Sequence, residues 1–382
     1  MPHSLRGRTA ITGVGQAGIG HAPGFSAMEL LAQASLQALG DAGLSLGDVD
    51  GLFVGTAVHA MPTLSVAEYL GIRPRYSDGS MIGGASFIAH TLTAAVALDA
   101  GLCDVALIAY GSNQRSAGGF TSISEPQPYE AAYAPRNPLT AYALAASRHM
   151  HQYGTTREQL AEVAVAARGW AQRNPEAFMR EPLTVADVTG SRLVSDPLTV
   201  RDCCLVTDGA AAAVMMRRDD AKARGAKAIY MLGTATEHWH RQISSMPDLT
   251  VTAASRSGPR ALEMAGLQRH EIDVLQLYDA FTITTILFLE DLGFCAKGEG
   301  GPFVSGGRIA PGGALPVNTN GGGLSCVHPG MYGLFLIVEA VRQLRGEAGA
   351  RQVANASTAL VHGNGGTLSS QSTTVLGSES TL

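Results

Sequence analysis

The chain has 382 residues, 46% hydrophobic and 15% charged, with a formal net charge of -5 and a sequence pI near 6.1. This length accommodates two domains or one large duplicated one, and the composition suits an α/β protein with buried strands, not a disordered or fibrous chain. The acidic balance excludes a basic nucleic-acid footprint, and no apolar run reaches the ~18 uninterrupted residues of a membrane span.

Taken in order, Met1–Arg8 leads directly into an apolar strand-like run and lacks the apolar core of a secretory leader. A helix stopped by Gly43, a short turn and an apolar strand through Val54 follow. Gly83 and Gly84 open a helical run from Ala85 to Ala100, and the strand Val105–Tyr110 comes next, its run Val105–Ala109 apolar enough to be a sheet edge in need of cover. Residues 115–199 break the alternation: they hold Glu125-Pro-Gln-Pro-Tyr129, an amphipathic helix near Arg157–Arg173, and the run beginning Asn174-Pro-Glu. An insertion of this kind in an α/β fold forms a loop domain over the C-terminal strand ends, where ligands bind. The run Val206–Met215 returns the chain to the first sheet. The five cysteines (Cys103, Cys203, Cys204, Cys295 and Cys326) are odd in number and lack CxxC spacing, so they read as reduced thiols of a cytoplasmic protein, without a metal site.

The most informative feature is an internal repeat. Residues 38–57 (ALGDAGLSLGDVDGLFVGTA) align with 261–280 (ALEMAGLQRHEIDVLQLYDA), with Ala38, Leu39, Ala42, Gly43, Leu44, Asp50, Leu52 and Ala57 each meeting an identical residue. After the second copy, Gly321-Gly322-Gly323, a helical run from Gly333 to Leu344 and the strand Ser357–Val361 parallel the first half. The acidic residues Asp48 and Asp50, and their copies Glu271 and Asp273, read as turn residues without chemistry. The expected division is residues 1–114 plus 200–235 for the first half, 115–199 for the loop domain and 236–382 for the second half.

Ordered motifs across almost the whole chain resemble the thiolase superfamily, in its sterol-carrier and lipid-transfer branch. They are Ile11-Thr-Gly-Val-Gly15, Ser195-Asp-Pro-Leu-Thr199, Asp202-Cys-Cys, Thr207-Asp-Gly, Tyr278-Asp-Ala-Phe281, Asn318-Thr-Asn-Gly-Gly322, His328-Pro-Gly330 and His362-Gly-Asn-Gly-Gly366. The resemblance implies a thiolase fold: duplicated βαβαβαββ halves in five layers, α-β-α-β-α. It also implies a homodimer and CoA as part of the substrate, with no other cofactor.

The chain departs from that family where thiolase chemistry resides. The nucleophilic cysteine belongs at the start of the first buried helix, where a helix N-terminus favours a thiolate; that position falls on Gly84. The C-terminal glycine-rich loop carries His362 in place of a cysteine, and of the thiolase apparatus only His328 is clearly kept. The altered pattern resembles aldolases that cleave steroid side-chain CoA thioesters together with an accessory protein of OB-fold and zinc-ribbon type. A retro-aldol cleavage needs a base for the β-hydroxyl proton and donors for the enolate oxygen. Tyr278, at a strand end, and Tyr332, four residues after His328, are the candidates, with His328 and His362 as further catalytic groups. Which tyrosine is the base stays open.

Gly83, Gly84, Ser86, Asn320, Gly322, Gly365 and Gly366 are expected to line the acyl-CoA site, glycines letting backbone N–H groups approach the thioester. A glycine at the nucleophile position should also vacate volume for a bulky acyl group. Asp279 is expected to orient its neighbours through hydrogen bonds. Two other functions remain open: a non-catalytic acyl-CoA or lipid-binding scaffold, and an acyltransferase using Ser86 or Cys326.

Overall fold

The computed structural model describes residues 5–56, 59–119 and 129–382. Ala57 of the repeat and residues 125–128 of the proline-rich stretch lie outside that range. The strands are β1 (Thr9–Gly20), β2 (Gly51–Val54), β3 (Tyr76–Asp78), β4 (Val105–Ser112), β5 (Leu193–Ser195), β6 (Leu198–Thr199), β7 (Asp208–Arg217), β8 (Ile229–His238), β9 (Val274–Leu277), β10 (Thr358–Gly365) and β11 (Ser370–Gly377). They form one continuous order, β3-β2-β4-β7-β1-β8-β11-β10-β9, with β5 and β6 paired separately in the insertion.

That order is the repeat made visible. β2, β4, β7 and β1 of the first half correspond to β9, β10, β11 and β8 of the second, and the halves meet where Ala10 and Ile11 pair with Tyr230 and Ile229. The helices Ser86–Asp99 and Gly333–Leu344 pack against each other and against strands of both halves, while Ala27–Asp41 and Ala254–Ala265 cover the outer faces. These are the layers of the α-β-α-β-α arrangement. The copying is not complete: β3 has no full counterpart, and a single parallel bridge from Leu275 to Val317 takes its place.

The repeated acids have equivalent jobs. Asp50 Oδ1 accepts from the backbone N–H of Asp104 and Val105, both at 2.8 Å, pinning the start of β4. Asp273 Oδ2 accepts from Ser357 at 2.8 Å and Thr358 at 3.0 Å, pinning the start of β10. Asp48 and Glu271 accept from Ser45 N and Gln268 N to close the turns before β2 and β9. All four serve strand entry.

One expectation is corrected. The apolar run at Val105 is not an edge: β4 is paired on both sides, with β2 and β7, and among the described residues the edge strand of the first half is β3. Its apolar character reflects burial on both faces. The junction expected at 235/236 lies within β8, which pairs with β11 from Tyr230 to His238. The insertion supplies the helices Leu139–Tyr153 and Arg157–Gln172, the latter opened by a Thr156–Gln159 capping box.

Candidate active site

The two central helices begin side by side, and the site is built where they begin. A side chain on Gly84 would overlap the ring of Tyr278, at Cε2, Cζ and the hydroxyl. The volume expected to be vacated at the nucleophile position is therefore filled, by a tyrosine that the second half delivers from the end of β9. Gly333 is equally constrained, because a Cβ there would meet the Gly84 carbonyl.

Tyr278 is 4% exposed, and its hydroxyl has two partners. It accepts from the backbone N–H of Tyr332 at 3.0 Å and lies 3.1 Å from His328 Nε2. Tyr332 is the N-cap of the helix Gly333–Leu344, so the phenol oxygen sits at the positive end of a twelve-residue helix. Burial pushes the Tyr278 hydroxyl well above the ordinary phenol range, while the Tyr332 N–H works the other way. Burial also lowers His328 to about 4, leaving a neutral imidazole whose Nε2 can take the phenol's proton. His328 is held through its backbone N–H, which donates to Thr207 Oγ1 at 2.9 Å.

Tyr332 is brought to the same place, its ring edge-on to Tyr278 with centroids 5.8 Å apart. The two hydroxyls diverge, however. That of Tyr332 is wholly buried and donates to Asn320 Oδ1 at 2.9 Å. Burial raises it well above the phenol range too, and the Asp279 carboxylate adds to the shift.

The loop carrying Asn320 and His328 folds as it does because of Asp279. Its carboxylate accepts from Gly323 N at 2.7 Å and Leu324 N at 3.3 Å, at the start of a π-helical turn spanning Gly322–Cys326. Gly322 has φ 65°, and a Cβ there would strike Asp279 Oδ2, so glycine is required. Burial pushes Asp279 up to about 7 against these N–H groups. The carboxylate thus ties Tyr278, its chain neighbour, to the turn that presents His328.

The insertion clamps this turn from outside. Asn174 Nδ2 donates to the Asn320 carbonyl at 2.9 Å, Arg168 Nε to Ser325 Oγ at 2.9 Å, and the N–H groups of Phe178 and Met179 to the carbonyls of Cys326 and Ser325. Asn174 and Arg168 carried no signal in the sequence beyond lying in the inserted segment. Thr207 lay within a quoted motif whose role was unassigned.

Other expected residues are placed differently. His362 was expected in a loop beside the tyrosines, but it lies inside β10. Strand alternation turns Gly363 and Gly365 toward the first central helix and His362 to the opposite face, where its ring nitrogens meet Thr373 Oγ1 at 2.8 Å and Gln371 Oε1 at 2.9 Å. Gly83 and Gly365 allow the backbones of the two halves to touch: Cβ atoms there would meet the Gly366 N–H and the Ile82 carbonyl. Gly366 itself remains exposed. Ser86 Oγ donates to the Gly83 carbonyl at 2.6 Å and accepts from Ile82 N at 2.9 Å, which closes the helix start and leaves no base beside it. Cys326 is buried with its thiol pushed far above the ordinary range, unsuited to nucleophilic attack.

The family model described as thiolase C-terminal domain-like matches residues 235–378. An acetyl-CoA acetyltransferase of Methanothermobacter thermautotrophicus is 35% identical over 94% of this chain and 96% of its own. The 17-hydroxy-3-oxo-4-pregnene-20-carboxyl-CoA lyase of Mycobacterium tuberculosis is 33% identical over 90% of this chain and 92% of its own. Among solved structures, an Ltp2-ChsH2(DUF35) aldolase superposes with a TM-score of 0.89 at 32% identity, covering 98% of this chain and 99% of that one.

Proposed function

The chain belongs to the thiolase superfamily, and from that premise we propose that it is a carbon–carbon lyase, an aldolase cleaving a β-hydroxyacyl-CoA by a retro-aldol step. The observation that carries this reading is the replacement of the nucleophile: Gly84 has no side chain, and Tyr278, paired with His328, occupies its place. Among the described residues of this site no activated nucleophile is present: Gly84 has no side chain, Ser86 is bonded to backbone groups, and burial raises the Cys326 thiol.

The reaction follows from the groups present. The Tyr278 oxygen takes the β-hydroxyl proton as its own proton passes to His328 Nε2. The substrate oxygen becomes a carbonyl, the Cα–Cβ bond breaks, and its electron pair moves onto the shortened thioester as an enolate. Protonation at Cα from His328 returns the proton and completes the cycle, with no water consumed. Tyr278 need never be a free phenolate, so its raised pKa is compatible with this role. The Tyr332 N–H at the head of its helix steadies the negative charge that builds on the Tyr278 oxygen. This assigns Tyr278 as the base and the Tyr332 hydroxyl to the enolate.

Acyl transfer is the second reading, favoured by the name of the 35% identical relative and opposed by the missing nucleophile. For the substrate, the lyase relative's name supports a steroid side-chain thioester. The Ltp2-ChsH2(DUF35) aldolase supports an accessory protein of the DUF35 kind. A homodimer is supported by the free edge at β3, flanked by exposed Met61, Leu64, Tyr69 and Met81. No helix among the described residues is long and apolar enough to cross a membrane.

The test is Tyr278→Phe, which keeps the ring against Gly84 and removes only the hydroxyl. Cleavage of a β-hydroxyacyl-CoA should fall about 10²–10⁴-fold with folding intact. Turnover within about tenfold of wild type would end the proposal.

A further inference from the structure

Among the described residues, one buried donor beside Tyr332 is left unpaired. Asn320 is 3% exposed, and its amide nitrogen, Nδ2, has no hydrogen-bond partner. Its orientation is determined by what its oxygen does: Oδ1 accepts from Gly322 N at 2.8 Å and from the Tyr332 hydroxyl at 2.9 Å. Turning the amide over would set its NH2 against the Gly322 N–H, donor against donor. The backbone is equally committed, with the Asn320 carbonyl accepting from Asn174 Nδ2. A buried donor with no acceptor is rare in folded proteins, because desolvating it brings nothing in return. Here it belongs to the same amide that holds the hydroxyl assigned above to the enolate.

We infer that Asn320 is a catalytic residue: its Nδ2–H and the Tyr332 hydroxyl form a two-donor hole for the thioester oxygen. This rests on the retro-aldol reading. As the Cα–Cβ bond breaks, its electron pair delocalises onto that oxygen, and a donor already in place strengthens its bond as the charge grows. The Tyr332 hydroxyl rotates from Asn320 Oδ1 to the same oxygen, while Oδ1 keeps the Gly322 N–H. No proton leaves Asn320, and the electron count is that of the retro-aldol step alone.

Two readouts separate this role from a structural one: cleavage of a β-hydroxyacyl-CoA, and exchange of the α-protons of propionyl-CoA in D2O followed by mass spectrometry. The second makes an enolate without using the β-hydroxyl. Asn320→Asp keeps an oxygen for Gly322 and Tyr332 and removes the N–H; Asn320→Ser shortens the side chain and removes the amide. In both, kcat and exchange should fall about 10²–10³-fold with propionyl-CoA affinity little changed. If Asn320 only braces the loop, Asn320→Asp would restore both rates. Cleavage retained within about threefold in either folded variant overturns the inference. Should both variants fail to fold, a wild-type structure with propionyl-CoA decides. Nδ2 at about 2.7–3.1 Å from the thioester oxygen supports the assignment, and beyond ~3.5 Å overturns it. A wild-type protein that neither cleaves nor exchanges removes the retro-aldol reading and this inference with it, whereas an active wild type with active variants removes the inference alone.

Discussion

Gly84→Ala adds one methyl group at the position where the resemblance to thiolases puts the nucleophile. Gly84 does not have the positive φ of its neighbour Gly83, so the backbone accepts alanine and the conflict is steric. The new Cβ would lie well inside contact distance of Tyr278 Cε2, Cζ and hydroxyl, and the ring must retreat by about 1.3–1.8 Å to reach ordinary carbon contact. Overpacking of this kind costs about 1–3 kcal/mol. The same retreat pulls the hydroxyl from His328 and from the Tyr332 N–H, and stranding a buried hydroxyl costs about 1–3 kcal/mol more. Gly84→Ala should therefore destabilise by about 2–6 kcal/mol in urea unfolding and lower kcat by about 10²-fold, the usual effect of a misplaced reacting group. A double-mutant cycle isolates the cause. In a Tyr278→Ala background the methyl enters empty space, so Gly84→Ala should be neutral or stabilising there. Additive effects in the cycle, or a Gly84→Ala protein with unchanged stability and turnover, would refute the placement of Tyr278 against Gly84.

Three further outcomes follow from the geometry. His362→Leu should cost about 1–3 kcal/mol, because Gln371 Oε1 and Thr373 Oγ1 lose a buried partner, while kcat stays within about threefold; a larger loss of kcat would put His362 back in the site. His90, His328 and His362 are all lowered by burial to about 4, so below their unfolded pKa of 6.5 the unfolded chain binds protons that the folded one refuses. Stability present above pH 6.5 is thus lost as pH falls toward 4. Asp279, raised to about 7, opposes this, because the folded chain holds its proton from pH 7 down to its ordinary value near 3.8. Three groups against one leave a net loss of up to ~3 kcal/mol per pH unit, and a Tm that is flat between pH 6.5 and 4.5 would contradict it. His90→Leu should flatten that acid limb and stabilise by about 1–2 kcal/mol at pH 6, since neither His90 ring nitrogen has a hydrogen-bond partner among Phe53 and Phe87.

Much of the fold was legible because the chain repeats itself. Matching Asp50 with Asp273 and Leu52 with Leu275 identified β2 and β9, and the helix boundaries at Ser86–Asp99 and Gly333–Leu344 lay close to where the glycines and apolar runs indicated. The edge at β3 was hidden because three residues of mixed burial carry no periodic signal, whereas the buried β4 carries a strong one. In the site, Tyr278, Tyr332 and His328 could be named from their motifs, and Asp279 as their organiser. Their relation to Gly84 could not, because it joins the start of one half's helix to the end of the other half's strand, a contact no local pattern encodes. His362 illustrates the converse. Its glycine neighbours suggested a loop, but pairing with β11 made it a strand residue, and the period of two then decided which face it took.

The most direct test of the account is product analysis. The protein, with and without an OB-fold accessory protein, is incubated with a β-hydroxyacyl-CoA bearing a steroid-like side chain, in the absence of free CoA, and the products are resolved by mass spectrometry. The expected result is a carbonyl compound and a shortened acyl-CoA whose masses add to that of the substrate. A β-hydroxyacyl-CoA left intact, with the corresponding β-ketoacyl-CoA split into two CoA thioesters once free CoA is added, would mean that the chain performs thiolysis after all and would contradict the account.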